Sequence, residues 1–550
     1  MPSTTLILII RINGANEVSL DFGPPLSPDS SVSSGPPLGL AEREKPFAAL
    51  PAASAFNQSL EGHPGQKWQG NQRSKVHALQ YGWNGGWMAH KQCTTRRIAI
   101  FTSPFKKVVL AFLIFLVPAL AMATPDAFVT LPSWTPKLLG AQATGIYQYM
   151  PTFNSPYEGA KSLSYDNGMG RQLTQTYGIY FGSQVTRDLQ AYLDVEMFRG
   201  DGISEGLGLG GYVNGDVIRA GPANLGQGPY LARLYLRYLI PLSEETEVVE
   251  RGMDQLPFHE PRSMIEIKAG KMAPTDNMDW NRYANNQRTQ FMNYAFLFNT
   301  AWDYASDTRG YSYGISVALV QPSWRLAWGS YMTPVTSNGY YMDKQIYRAR
   351  GDNIELTLRP TEFGTVVSFL AYLNWGRMGD YGEAMALASA TSTTPDVHAN
   401  EKPGRIKYGF GINLQQPLAD NGETGVFARV GWSDGHTSTW SYTEVDQQAS
   451  VGFQVSGIHW RRTEDRFGIA YAIDGLSVPH RQYLAAGGIG MLIGDGKLNY
   501  GYEQILEAYY RIQLGKYVQV SPDFQYIWNP AYNRDRGPVQ VYGLRLRLYY

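Results

Sequence analysis

From about residue 140 onward the chain is written in segments of about 8–11 residues that alternate apolar and polar side chains, with turn residues between them. "YLARLYLRYLI" (230–240) sets Ala232, Leu234, Leu236, Tyr238 and Ile240 on one face, and Arg233, Tyr235 and Arg237 on the other. "SMIEIKAGKM" opposes Ile265, Ile267 and Ala269 to Glu266, Lys268 and Gly270. "DNIELTLRP" opposes Ile354, Leu356 and Leu358 to Glu355, Thr357 and Arg359. "IKYGFGINL" opposes Tyr408, Phe410, Ile412 and Leu414 to Lys407, Gly409, Gly411 and Asn413. A period of two, repeated to the C-terminus, commits this part of the chain to β-sheet with two unlike faces.

A soluble sandwich carries the same alternation, so other features must separate the two classes. The polar faces hold arginine, lysine and glutamate, with glycines giving room, as a wet lumen requires. Trp324, Trp328, Trp375, Trp432, Trp460, Tyr549 and Tyr550 sit at segment ends, matching the aromatic girdles of outer-membrane barrels. The chain closes on "VYGLRLRLYY", where Leu544, Leu546, Leu548 and Tyr550 share one face and Gly543, Arg545, Arg547 and Tyr549 the other. A terminal strand of this form resembles the signal read by the bacterial barrel-assembly machinery. At about 10 residues per tilted strand, residues 124–550 fit roughly 14–18 strands. An even number near 16 encloses a water-filled channel. The fold expected is an all-β, antiparallel outer-membrane β-barrel of about 16 strands.

Such a barrel must be exported. "FKKVVLAFLIFLVPALAMA" (105–123) is the one strongly apolar run. It is short for a spanning helix, which needs about 20 residues, and Pro118 interrupts it. Arg96, Arg97, Lys106 and Lys107 precede it, and Ala121-Met122-Ala123 ends it, which reads as a signal peptide cleaved after Ala123. A retained anchor and a core helix are the competing readings, and their flanks fit less well. Because the run comes so late, Met88 reads as the start of the protein. Residues 1–104 are aperiodic and rich in Pro, Ser, Gly and Asn; 1–87 then read as a disordered extension from an upstream start codon, 88–123 as the signal and 124–550 as the barrel domain. The single cysteine, Cys93, precedes the cleavage site, so the mature part has none, as suits an oxidising periplasm. A mean hydropathy of −0.29 excludes a polytopic helical membrane protein. A formal net charge of zero favours no nucleic-acid partner.

Several ordered motifs now carry a family resemblance. They are "LARLYLRYLIPL" (231–242), "GKMAPTDNMDWNRYANNQRTQFMNYAF" (270–296), "AWDYASDTRGYSYG" (301–314), "GVFARVGWSDG" (425–435) and "YTEVDQQASVGFQVSGIHWRR" (442–462). "DGLSVPHRQYLAAGGIGMLIGDGKLNYGYEQILEAYYRI" and "SPDFQYIWNPAYNRDRGPV" follow in the C-terminal third. Together they make most of residues 143–550 similar to the OprB-like carbohydrate-selective porins. The chain departs from that pattern at Arg461, where a glycine is usual, and at its last strand, which lacks the family's histidine and phenylalanine. The stretch from Tyr381, "YGEAMALASATSTTPDVHANEK", reads as a loop peculiar to this chain. The resemblance implies a 16-stranded barrel that passes sugars passively, with some preference for monosaccharides such as glucose. It implies lipopolysaccharide and the barrel-assembly machinery as companions, and leaves monomer and homotrimer both open.

The candidate pore-lining residues follow from polar clusters. Arg233 and Arg237 lie on the polar face of a strand. "DNMDWNRYANNQRTQF" offers Asp276, Asp279, Trp280, Arg282 and Arg288 either to the lumen or to a solvated loop. Asp303 and Arg309 form a second charged shelf with Asp307, or a turn closed by its own ion pair. "NPAYNRDRGPV" reads as a structured turn. Glu503 and Glu507 share one strand face, but catalysis would need a pocket and a raised pKa. "GLGLGG" (206–211) matches a dinucleotide fingerprint without the helix that should follow it. His480 reads as a hydrogen-bonded loop residue, and no cysteine or histidine cluster indicates a metal. No catalytic, cofactor or metal residue is expected. The alternatives to a sugar channel are a general or other polar-solute porin, a barrel enzyme, and a non-conducting structural or adhesive barrel.

Overall fold

The computed structural model describes residues 8–13, 17–22, 134–216, 226–361, 364–441 and 443–550. Within the 1–87 stretch expected to be disordered, β1 (Leu8–Asn13) and β2 (Glu17–Phe22) form a two-stranded sheet. The 88–123 signal and its cleavage site lie outside the described residues.

Sixteen strands close into one antiparallel barrel. The first four are β3 (Lys137–Tyr149), β4 (Arg171–Gln184), β5 (Leu189–Arg199) and β6 (Tyr230–Pro241). A small hairpin, β7 (Thr246–Val249) and β8 (Phe258–Pro261), interrupts the sequence without joining the barrel. Then come β9 (Met264–Met272), β10 (Ser312–Val320), β11 (Trp324–Met332), β12 (Arg350–Leu358) and β13 (Val366–Met378). The wall continues through β14 (Lys402–Ala419), β15 (Thr424–Ser433), β16 (Gln447–Ser456) and β17 (Arg466–Gly475). It ends with β18 (Glu503–Leu514), β19 (Val518–Trp528) and β20 (Val539–Tyr549). β20 pairs with β3, Leu544 opposite Tyr147 and Arg547 opposite Thr144, which closes the barrel on itself. Closure satisfies the main chain internally, which is what allows strands to cross lipid.

The alternation runs inside-out relative to a soluble sheet. Leu234 and Leu236 are each 49% exposed and Phe410 48%, while Lys407, Asn413, Glu355 and Arg545 are buried. Apolar side chains face outward to hydrocarbon and polar ones inward. The faces expected from sequence hold in β12, β14 and β20. In β6 one residue departs: Ala232 is fully buried beside Tyr230, Ala273 and Tyr311. The register slips there, Asp194 pairing with Arg233 but Val195 with Leu231, so a bulge reverses the phase at Ala232.

Connections are short at one end and long at the other. β10–β11 and β18–β19 are joined by residues 321–323 and 515–517, against 273–311 and 476–502 at the opposite end. Short periplasmic turns and long extracellular loops orient the barrel, and Lys137 and Tyr549 both lie on the periplasmic side. Trp375 and Trp432 lie near the extracellular ends of their strands, and Trp324 and Tyr549 at periplasmic ends. Trp328 falls in the middle of β11 instead of at an end. The stretch from Tyr381, expected to be a loop, forms a helix (Tyr381–Thr391) capped by Asp380, whose carboxylate accepts the Glu383 amide.

Candidate functional site

Residues 273–311 leave β9, fold into the barrel and return at β10. On one side of the lumen the loop is packed solid. Phe291 and Phe296 cluster with Phe427, Ala470, Ile505, Tyr509, Ile527 and Val541 from the wall. The glycines expected to give a lumen room do so for this loop. A Cβ at Gly431 would lie 1.9 Å from the Asn299 carboxamide oxygen, and one at Gly425 would lie 2.2 Å from the Tyr283 hydroxyl.

The charged residues of the loop divide into anchors and cavity walls. Asp279 is buried against Arg429 at 3.3 Å, accepts the Asn299 amide at 2.7 Å and accepts Asn413 Nδ2 at 2.9 Å. Asp303 is buried as well, accepting the Trp440 and Ser441 amides at 2.8 and 2.7 Å and pairing with Lys407 at 3.2 Å. Arg282 pairs with Glu423 at 2.8 Å beside the periplasmic turn 420–423. These three tie loop to wall. Asp307 accepts the Arg309 and Tyr311 amides at 2.9 and 3.1 Å, so "WDYASDTRGY" is a turn closed by its own aspartate. Arg237 lies toward the periplasmic end, bonded to Glu266 at 2.6 Å and to Glu260. Trp280 is 57% exposed and does not line the cavity described next.

That cavity, of about 300 Å³, lies between the loop and the β4–β6 wall. Of the expected pore-lining residues it gathers Arg233, Asp276, Arg288 and Arg309. Asp276 grips Arg233 with both oxygens, at 2.7 Å to Nε and 2.6 Å to Nη2. Arg288 bonds Glu196 at 2.9 Å and Asp216 at 3.3 Å, and donates to the Tyr180 hydroxyl at 3.1 Å. The Tyr311 hydroxyl donates to the other Glu196 oxygen at 2.5 Å, and its ring lies 5.3 Å below the Arg233 guanidinium. Arg309 stands over the rings of Tyr230 and Phe198 at 4.6 and 5.4 Å, and Nη2 donates to the Gly226 carbonyl at 2.7 Å. The lining thus holds three arginines, Arg233, Arg288 and Arg309, against three carboxylates, Glu196, Asp254 and Asp276.

Glu196, Phe198 and Tyr180 were absent from the expected set. In β5 the buried residues Gln190, Tyr192, Asp194, Glu196 and Phe198 alternate with Leu189, Ala191, Leu193, Val195 and Met197, so a period-two reading of that strand would have found Glu196 and Phe198. Asp254 carries no such signal, because it comes from a periplasmic connection. Elsewhere, Glu503 and Glu507 do face inward together, but each accepts backbone amides: Ala531 at 2.7 Å for Glu503, and Met292 and Asn293 at 2.5 and 2.9 Å for Glu507. Arg536 of "NPAYNRDRGPV" is buried, paired with Glu158 and Asp495. His480 lies on a short helix, Val478–Ala485, with Nδ1 3.0 Å from Asp446. Among the described residues no group of His, Cys, Asp and Glu is placed to hold a metal.

A closed 16-stranded antiparallel barrel with a lipid-compatible exterior and an inserted loop narrowing its lumen defines a porin of the bacterial outer membrane. The profile of the carbohydrate-selective porins, OprB family, matches residues 253–550, more than half of the chain, and the chain belongs to that family. Porin AaxA of Chlamydia pneumoniae is 24% identical over 306 residues, 54% of this chain and 59% of that protein. The chain therefore spans about six tenths of the length of this curated relative. A structure of Pseudomonas putida OprB at high pH superposes with a TM-score of 0.56 at 14% identity, covering 77% of this chain and 100% of that one. At that identity the likeness shows a shared fold.

Proposed function

We propose that this porin admits small neutral carbohydrates, monosaccharides such as glucose, by passive diffusion into the periplasm. The observation that carries the reading is the cavity in which guanidinium and carboxylate groups alternate beside aromatic rings. A sugar presents hydroxyls that both donate and accept, and apolar ring faces that lie against phenol rings. Arg233, Asp276, Arg288 and Arg309 are the residues of the expected set that contact it in this reading, joined by Glu196 and Tyr311. Because these ions are already paired or stacked, a passing hydroxyl exchanges for an existing partner, which keeps binding weak enough for release. Arg237, Asp279, Arg282 and Asp303 hold the scaffold instead. The function needs no cofactor and breaks no bond.

Proteoliposome swelling tests the proposal. Glucose should enter faster than gluconate or glucosamine of similar size, and Arg288→Ala should lower glucose entry at unchanged insertion. Equal entry of all three solutes would favour a general diffusion porin, and an insulating protein would exclude both.

A further inference from the structure

The β6–β9 connection, residues 242–263, is far longer than the other periplasmic turns and does not stay at the rim. Between β7 and β8 it sends residues 250–257 back toward the lumen as a strap. Leu256 is buried with Leu139, Tyr180 and Tyr192 on the inner wall. Met253 lies against Gly140, where a Cβ would stand 2.6 Å from the Met253 carbonyl oxygen, so that strand position must be bare. Arg251 Nε donates to the Leu139 carbonyl at 2.8 Å, and its guanidinium lies 5.0 Å from the Tyr550 ring. The strap is thus fastened to the barrel seam, at β3 and at Tyr550, the residue after β20.

What the strap delivers is Asp254. Its Oδ2 stands 3.8 Å from Arg233 Nη1, and its carboxyl is hydrogen-bonded to that of Asp194, so the two acids share a proton. Asp276 and Asp194 already hold Arg233 at 2.6 and 3.1 Å. One guanidinium therefore faces three carboxylates, and Asp254 has the longest and weakest share of it. Burial pushes the Asp254 carboxyl up to about 6, so above that pH it places a negative charge on the cavity wall, where the loop 273–311 narrows the path from the other side. A fixed charge at a constriction acts on every ion that passes, because the narrow lumen screens it less than bulk water does.

We propose that Asp254, carried into the lumen by the periplasmic strap, is the residue that sets the charge selectivity of this channel and turns anionic solutes away. The proposal requires that the barrel conduct, and not that sugars be its solute. The hairpin flanking the strap is exposed and acidic, with Glu244, Glu245, Glu247 and Glu250, but these lie outside the cavity.

Reversal potentials under a potassium chloride gradient across a planar bilayer test it. Asp254→Asn should lower the cation-to-anion permeability ratio severalfold, Asp254→Glu should keep it near wild type, and Glu247→Gln should leave it unchanged. Arg251→Ala, which frees the strap from Leu139, should lower the ratio in the same direction and raise single-channel conductance, and it supplies the test should Asp254→Asn fail to insert. A conducting Asp254→Asn channel with the wild-type ratio, or an Arg251→Ala channel with wild-type ratio and conductance, overturns the proposal. A wild-type protein that inserts and does not conduct would instead overturn the channel reading itself.

Discussion

The Arg429 guanidinium, on β15, is buried 3.3 Å from the Asp279 carboxylate and donates to the carbonyls of Ala284 and Phe296, both at 2.8 Å. One side chain from the wall therefore holds three points along the inserted loop. Removing one partner of a buried pair leaves the other charge uncompensated, at a cost of about 3–5 kcal/mol. Arg429→Ala should lower the thermal unfolding temperature of the barrel and give larger, noisier single-channel currents as the loop leaves the wall. Asp279→Asn, which keeps the hydrogen-bonding shape, should do both to a smaller degree. Calorimetry and bilayer recordings of the two variants check the order.

The extracellular loops carry a second buried pair with a pH signature. Burial works against the charged imidazole of His480, but Asp446 at 3.0 Å and Glu444 at 3.6 Å outweigh it and push the group up to about 9. Asp446 feels burial in the opposite sense, and the charge of His480 holds it down to about 2. The ring stacks on Tyr381 at 4.4 Å, Lys407 acts on Asp446, and Lys161 acts on Glu444. A raised histidine stabilises fully below its unfolded value near 6.5, and that contribution is lost as pH rises through about 9. The depressed aspartate stabilises above its unfolded value of 3.8 and loses this as pH falls through about 2. Protease resistance of the loops should hold from about pH 4 to 6.5 and decline toward pH 9. His480→Phe should flatten the alkaline decline, whereas a decline of the same shape in that variant would assign it to another group.

The outward face gives a prediction in lipid. Ile412, on the outward face of β14, pairs across the sheet with Phe369 and Val430, below the level of Trp432. An arginine on the lipid face costs about 2–4 kcal/mol at the bilayer midplane. Ile412→Arg should lower folding stability in urea titrations by that order. Lys268→Gln, on the inward face of β9, should change conductance and leave the titration midpoint nearly where it was.

Barrel class and strand faces were legible because lipid and lumen impose opposite demands on alternate residues, as Leu234 and Arg233 or Phe410 and Lys407 illustrate. Ala232 was misplaced because the bulge is decided by β5, a partner strand, and not within β6. The charges of 276–309 were legible as a polar cluster, but not their division of labour. Asp279 becomes an anchor through Arg429, 150 residues away, and Asp303 through Lys407 and the amides of Trp440 and Ser441. Period-two patterns carry no information about such long-range partners. Asp254 was hidden for a further reason: "ERGMDQLPFHE" has the composition of an exposed turn, and only its packing on Leu139 and Tyr192 turns it inward.

Gly431 and Asn299 offer the sharpest test of how the loop fits the wall. A Cβ at Gly431 would stand 1.9 Å from Asn299 Oδ1, and Gly411 approaches the same carboxamide from β14, with its Cβ position 2.2 Å from Nδ2. Asn299 cannot simply swing away, because Oδ1 accepts the Ala301 amide at 3.0 Å and its own amide donates to Asp279 at 2.7 Å. Gly431→Ala should therefore push the loop segment inward and shift single-channel conductance while the barrel still forms, since the strand register does not involve the side chain. Asn299→Ala removes the clashing carboxamide and should perturb conductance modestly by itself. Residues in contact couple non-additively, so the double variant Gly431→Ala/Asn299→Ala should lie closer to wild type than Gly431→Ala alone. Additive effects would mean that Gly431 serves the strand and not the loop, and the fit of loop to wall would have to rest on Gly425 and Tyr283 instead.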